Sequence, residues 1–187
     1  MPQGAAHLAT EAEYFHRIEA ELIEQMRHRA AEEEELRHMA EASHIADFQI
    51  LETLEKLGYT HHTVILLHLV PLVEMAWVDG SVSSTERDHI LAVAREHHIA
   101  KNTPAYQQLI AWLEQRPSPE FFKESWRVIQ AEFESLPANE RNASKAVLAH
   151  SCKEFAYSSC ERSSWASRIC TAKRNLLKEI LWRLARR

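Results

Sequence analysis

Apolar residues recur at three- and four-residue intervals through most of the chain, and nowhere do they alternate over a stretch bounded by turn residues. That spacing puts them on one face of a helix and argues against strands. Between about Ala9 and Glu41 the pattern is thin: Phe15, Ile18, Leu22 and Met26 follow at helical spacing in a polar, glycine-free background, with four glutamates at Glu32 to Glu35 behind them. This predicts a long, mostly solvated helix whose seam packs on a neighbour or on a second chain. Ser43 to Asp47 breaks the pattern. Ile45, Phe48, Leu51, Leu54 and Leu57 then predict a short amphipathic helix ended by Gly58.

From Val64 to Trp77 the apolar positions run almost all round, as expected of a central core helix, with Thr60 available to cap it and Asp79-Gly80 to close it. Ser83 and Glu86 have the Ser-x-x-Glu spacing of a capping box, which opens a helix with Ile90, Leu91, Ala94 and Ile99 inward. Thr103-Pro104 starts a helix through Trp112, Pro117 to Pro119 punctuates, and Phe121 to Leu136 turns Phe122, Trp126, Ile129 and Phe133 inward. Pro137 begins a helix to about Tyr157. After the Ser- and Cys-bearing stretch 158–171, a last helix, Ala172 to Arg186, ends with arginines at the negative end of its dipole. The expectation is an all-α bundle of seven or eight helices, with an acidic helical extension at 1–42 and one domain at 43–187.

Composition agrees. Only 3 Gly and 6 Pro stand in 187 residues with 45% hydrophobic content, enough for one sizeable core. The apolar run Val64 to Val78 is interrupted by His68, Pro71 and Glu74 and falls short of the roughly 20 residues a membrane span needs. The N-terminal residues lack the basic region and apolar core of a signal peptide. Cys152, Cys160 and Cys170, spaced by eight and ten, match neither zinc pairs nor an even disulfide set, so passive thiols in a reducing cytoplasm are expected. Charge is uneven. Residues 1–60 carry 13 acids and 5 bases, net −8, whereas residues 138–187 carry 4 and 11, net +7. Such a front and back can fold together or pair head to tail between chains. Nucleic acid is not the expected partner, since the basic residues lack a reading motif or interleaved aromatics.

One stretch carries a resemblance. Leu69-Val-Pro-Leu-Val-Glu-Met-Ala-Trp-Val-Asp-Gly80, followed by Glu86-Arg-Asp-His-Ile90, Tyr106, Trp112-Leu113, Arg116-Pro117 and Trp126, resembles the TerB-like, tellurite-resistance-type helical domains, whose Ala-Trp-Ala-Asp-Gly motif precedes a glutamate. The resemblance implies a compact bundle of two related halves, each with an Asp-Gly turn and a glutamate on the next helix, and a link to tellurite or general stress resistance. The second half departs from the pattern, placing Lys173 where relatives have that glutamate.

Three chemistries are weighed. A divalent cation, Ca2+ or Mg2+, could sit at Asp79 and Glu86 with Glu74 or Asp88, because hard cations collect several carboxylate and carbonyl oxygens. Against it, Asp79 serves as a turn residue and Glu86 as half of a capping box without any ion. A di-iron or di-manganese site is suggested by two Glu-x-x-His pairs, Glu13 with His16 and Glu35 with His38. Their separation of 22 residues, about 33 Å along one helix, requires a second chain or a fold-back near Arg29 to Ala31. Third, His61-His62, His68, His89, His97-His98 and His150 make the chain histidine-rich without a zinc motif, and His68 is expected as a satisfied core histidine. No glycine elbow or phosphate loop is possible with glycines only at 4, 58 and 80, so no catalytic residues are assigned. The sequence therefore points to a cytoplasmic binding or scaffold protein with an unknown protein partner or self-association through its first helix, and Trp77, Trp112 and Trp126 as core anchors.

Overall fold

The computed structural model describes residues 3–43, 45–160 and 168–186, with side chains described at 14–43, 45–160 and 170–186. Among the described residues there are eight α-helices and no strand: α1 (Gln3–Ser43), α2 (Phe48–Lys56), α3 (Val70–Ala76), α4 (Ser84–Glu96), α5 (Pro104–Glu114), α6 (Pro119–Ser135), α7 (Ala138–Cys160) and α8 (Arg168–Ala185). Short 3-10 helices cover Val64–Leu69 and Trp77–Asp79. Among the described residues no helix is long and apolar enough to cross a membrane.

The local punctuation has local causes. Ser43 Oγ donates to the Met39 carbonyl at 2.7 Å and accepts from the Ile45 amide, while Asp47 caps α2 by accepting from the Gln49 amide at 2.9 Å. Gly58, at φ +83°, closes α2: its amide donates to Glu55 O and that of Tyr59 to Leu54 O, the paired bonds of a left-handed helix end. The capping box forms as expected, with the Glu86 amide donating to Ser83 Oγ and the Ser83 amide to Glu86 Oε2 at 2.9 Å. Ser118, not Phe121, marks the start of α6, since its hydroxyl accepts from the Phe121 amide at 3.1 Å and Pro119 occupies the first turn.

The central helix differs from expectation. Instead of one α-helix over 64–77, the chain makes a 3-10 run, the seven-residue α3 and a second 3-10 turn. Pro71 has no amide hydrogen to give the carbonyl four residues back, which disfavours a continuous α-helix and leaves the preceding turn tightened. Thr60 does not cap it through its side chain. Its carbonyl accepts from the Thr63 and Val64 amides at 2.9 Å, forming a turn that leads in. The expected burial holds: Leu66, Val70, Leu72, Val73, Met75 and Ala76 are fully enclosed, and α3 packs against α4, α6, α7 and α8.

The helices α7 and α8 run antiparallel, with Cys160 and Cys170 at one end and Lys145 Nζ donating to the Arg186 carbonyl at the other. Cys160 and Cys170 form a disulfide, Cα atoms 5.6 Å apart, which corrects the expectation of three passive thiols. Their spacing of ten carries no signal in one dimension; the reversal of direction between the helices brings them together. The intervening stretch expected as Ser-rich, at 161–167, lies outside the described residues.

Trp112 and Trp126 are core anchors, while Trp77 is half-buried and donates its indole N–H to Trp112 O at 2.7 Å. The last turns of α1 join the same core through Leu36 and Met39. Residues 14–34 of α1 are exposed throughout. Its 41 residues span about 60 Å, and half of that length stands clear of the bundle.

Candidate functional site

Asp79 sits at an exposed corner, where Oδ1 accepts from the Ser81 amide at 3.3 Å and Gly80, at φ +92°, turns the chain. Seven residues on, Glu86 points the other way, into the core, where it is 4% exposed. Its Oε2 accepts from the Ser83 amide and hydroxyl, and its Oε1 accepts from the ammonium of Lys173 on α8, itself 2% exposed. The positive charge beside Glu86 is thus supplied by the chain. Asp88 lies on the exposed face of α4, and Glu74 is engaged elsewhere. These four acids do not form a ligand group among the described residues.

Glu74 accepts from the Trp126 indole N–H at 2.7 Å, and the Arg183 guanidinium lies 4.0 Å from the same oxygen and stacks over the Trp126 ring. Burial pushes the Glu74 carboxyl above its ordinary value; the Trp126 N–H opposes the rise, the Arg183 charge does the same, and Glu179 adds to it. An acid whose folded pKa is raised favours the fold fully below the unfolded value near 4.5, and loses that contribution as pH climbs toward the folded value. Glu74→Gln, which keeps an acceptor for Trp126, should therefore gain stability relative to the parent as pH rises through that window. Thermal unfolding from about pH 4 to about pH 8 measures it, and parallel curves for the two proteins would contradict it.

Glu74 and Trp126 form the wall of a cleft of about 390 Å³ between α6 and α8, lined by Arg116, Lys123, Arg127, Arg183 and Arg186. Trp182, 59% exposed, stands at its rim beneath Arg186. Five cations with two indoles make a surface suited to an acidic, partly apolar partner.

Glu35, His38 and His61 meet where α1 reaches the core. Glu35 and His38 lie one turn apart on α1, and His61 comes from the turn before the first 3-10 helix. Glu35 Oε1 accepts from the His61 amide and Oε2 faces His61 Nδ1, both at 2.7 Å. Burial raises the Glu35 carboxyl, but the two contacts with His61 and the charges of His61 and His38 outweigh it and hold the group below its ordinary value. One ligand atom from each of the three residues lies within 4.8 Å of the others, and this is the one such trio among the described residues. The partner pair does not join it: His16 is exposed, 3.7 Å from Glu19, and the Glu13 side chain lies outside the described residues. The helix α1 runs unbroken through Arg29 to Ala31, so within one chain the two Glu-x-x-His pairs stay apart.

His68 is half-buried: its ring stacks on Phe133, and its Nε2 stands 3.1 Å from Glu132 Oε2, within ion-pair distance but without the alignment of a hydrogen bond. Burial lowers the pKa of His97 and nearby His68 adds to the effect. Cys152 is free and buried, and burial, with the Glu74 charge, pushes its thiol up to about 12, far from a nucleophile's thiolate. Sequence reasoning missed His61 as the partner of Glu35 because 26 positions separate them, and missed Lys173 as the partner of Glu86 because 87 do.

No family model, no curated protein and no solved structure matches this chain.

Proposed function

We propose that the protein is a non-catalytic binding and scaffold protein of TerB-like type, which assembles by docking the acidic arm of α1 onto the basic cleft of a second copy. One observation carries the reading. Tyr14, Phe15, Ile18, Leu22, Ile23 and Met26 are 40–64% exposed along one segment of a helix whose residues 14–34 are all exposed among the described residues. A helix gains most of its stability by burying its apolar face, so an uncovered stripe of this length calls for a partner. Phe15, Ile18, Leu22 and Met26 keep one face, and Glu19, Glu21 and Glu24 flank them.

The cleft between α6 and α8 has the complementary chemistry, five cations around Phe122, Trp126 and Trp182. Reciprocal exchange of arms closes a two-fold dimer and leaves no open end to propagate. The TerB-like resemblance supports a place in stress or tellurite-type resistance. A cation at Asp79 is no part of this reading, since Glu86 is already paired with Lys173. The Cys160–Cys170 disulfide removes the support that three free thiols would have given a cytoplasmic placement.

Sedimentation equilibrium tests the assembly. The parent is expected to dimerise, more weakly as salt rises, because the arm and cleft carry opposite charges. Leu22→Asp on the arm, and Lys123→Glu with Arg127→Glu in the cleft, are each expected to weaken dimerisation by at least about tenfold, the effect of about 1.4 kcal/mol. A parent that stays monomeric at about 100 μM would overturn self-association and turn the search to a different basic protein.

A further inference from the structure

We infer that Glu35, His38 and His61 form a binding site for one divalent transition-metal ion of the zinc class, placed where the arm joins the bundle. The inference is independent of the arm's partner. Two imidazoles and one carboxylate are a donor set that zinc accepts, whereas Ca2+ and Mg2+ prefer all-oxygen surroundings. The trio is held by packing on both sides: Leu36 and Met39 of α1 are buried, which fixes the helix face that carries Glu35 and His38, and Thr63 and Val64 are buried just after His61.

Three further observations favour an ion over a simple clasp between Glu35 and His61. The His38 ring lies 5.3 Å from the His61 ring, and no hydrogen bond to it is found among the described residues, so its ligating nitrogen is uncommitted. The trio leaves a fourth place open to water, since His62, exposed with its ring 3.8 Å from that of His61, stands outside the set of mutually close ligand atoms. All three residues of the trio are half-buried, close enough to solvent for an ion to enter and sheltered enough for it to stay. In the ion-free arrangement Glu35 Oε2 and His61 Nδ1 share a proton across 2.7 Å. Zinc in its place, with bonds of about 2.0 Å, sets two tetrahedral ligands about 3.3 Å apart, an opening of roughly half an ångström that side-chain rotation supplies. The Nδ1 hydrogen gives way to the metal while the ring stays neutral as its Nε2–H tautomer, and the Glu35 oxygen on the His61 amide keeps its bond.

The remaining histidines are the obvious competitors, and the test is built around them. Metal-stripped full-length protein is titrated with Zn2+ by calorimetry, with stoichiometry read by native mass spectrometry. The parent is expected to bind one tight equivalent. His38→Gln is the decisive variant, because no hydrogen bond of the fold rests on that ring; it should lose at least tenfold in affinity at the first equivalent. His61→Gln should lose as much, with its fold checked by circular dichroism. A control with His16→Gln and His28→Gln on the exposed arm should bind like the parent. A parent with no stoichiometric zinc, or a His38→Gln variant with parental affinity, would overturn the site and leave Glu35 as a clasp on His61.

Discussion

Lys173→Ala is expected to cost about 3–5 kcal/mol of folding stability, because it strips the paired ammonium from the Glu86 carboxylate and leaves a charge in the core. Both side chains are nearly inaccessible, at 3% and 4% exposure, so water cannot replace the lost partner without opening the packing of α8 on α3 and the 3-10 turn at Trp77–Asp79. The expected signature is a lower urea midpoint with an unchanged slope. A second substitution separates charge from packing. Glu86→Gln added to Lys173→Met removes both charges, keeps an oxygen for the Ser83 amide, and should recover most of the loss, since a buried ion pair is often replaceable by neutral groups at little cost. Should Lys173→Ala lose less than about 1 kcal/mol, the pair is solvated and the reading of Glu86 as internally satisfied fails.

Phe155→Ala is expected to cost a similar amount, about 3–5 kcal/mol, by a different route. Phe155 on α7 is fully buried and meets the His89 ring of α4 edge-on at 5.4 Å. Its removal loses both transfer free energy and contacts around a cavity that the surrounding helices cannot fill by collapsing. Val147→Ala on the same helix, where the side chain is 59% exposed, should change stability by less than about 0.5 kcal/mol. Denaturant unfolding of the two variants measures the contrast, and equal effects would mean that α7 is not oriented as described.

Much of the fold was legible because its determinants are local. The capping box at Ser83 and Glu86, the stop at Gly58 and the Pro104 start each involve residues within a turn of one another, so their spacing in the chain is their spacing in space. The seam of Phe15, Ile18, Leu22 and Met26 was legible as apolar, but whether it packs on its own bundle or stands exposed was not, because that depends on where α1 leaves the core. The division of the Val64 to Trp77 helix was less so, since Pro71 is compatible both with the first turn of a helix and with its interruption.

The candidate site was legible only in part. Glu35 and His38 were visible as a pair because three residues make one helical turn, but that pair looked the same as Glu13 and His16. What distinguishes them is that one pair reaches the bundle and meets His61, while the other stands out on the arm. Likewise Asp79 and Glu86 share a motif, yet one faces water and the other Lys173.

By itself the sequence determined that the chain is helical, where locally capped ends such as Ser83 and Gly58 fall, which faces are apolar and how charge divides between the ends. These follow from periodicity and from side chains acting on their own backbone. Only the tertiary structure decided which charge meets which: Lys173 with Glu86, His61 with Glu35, Arg183 with Glu74 and Trp126, and Cys160 with Cys170. Those pairings depend on how helices cross and reverse, which burial of the whole apolar surface settles at once and no single segment encodes.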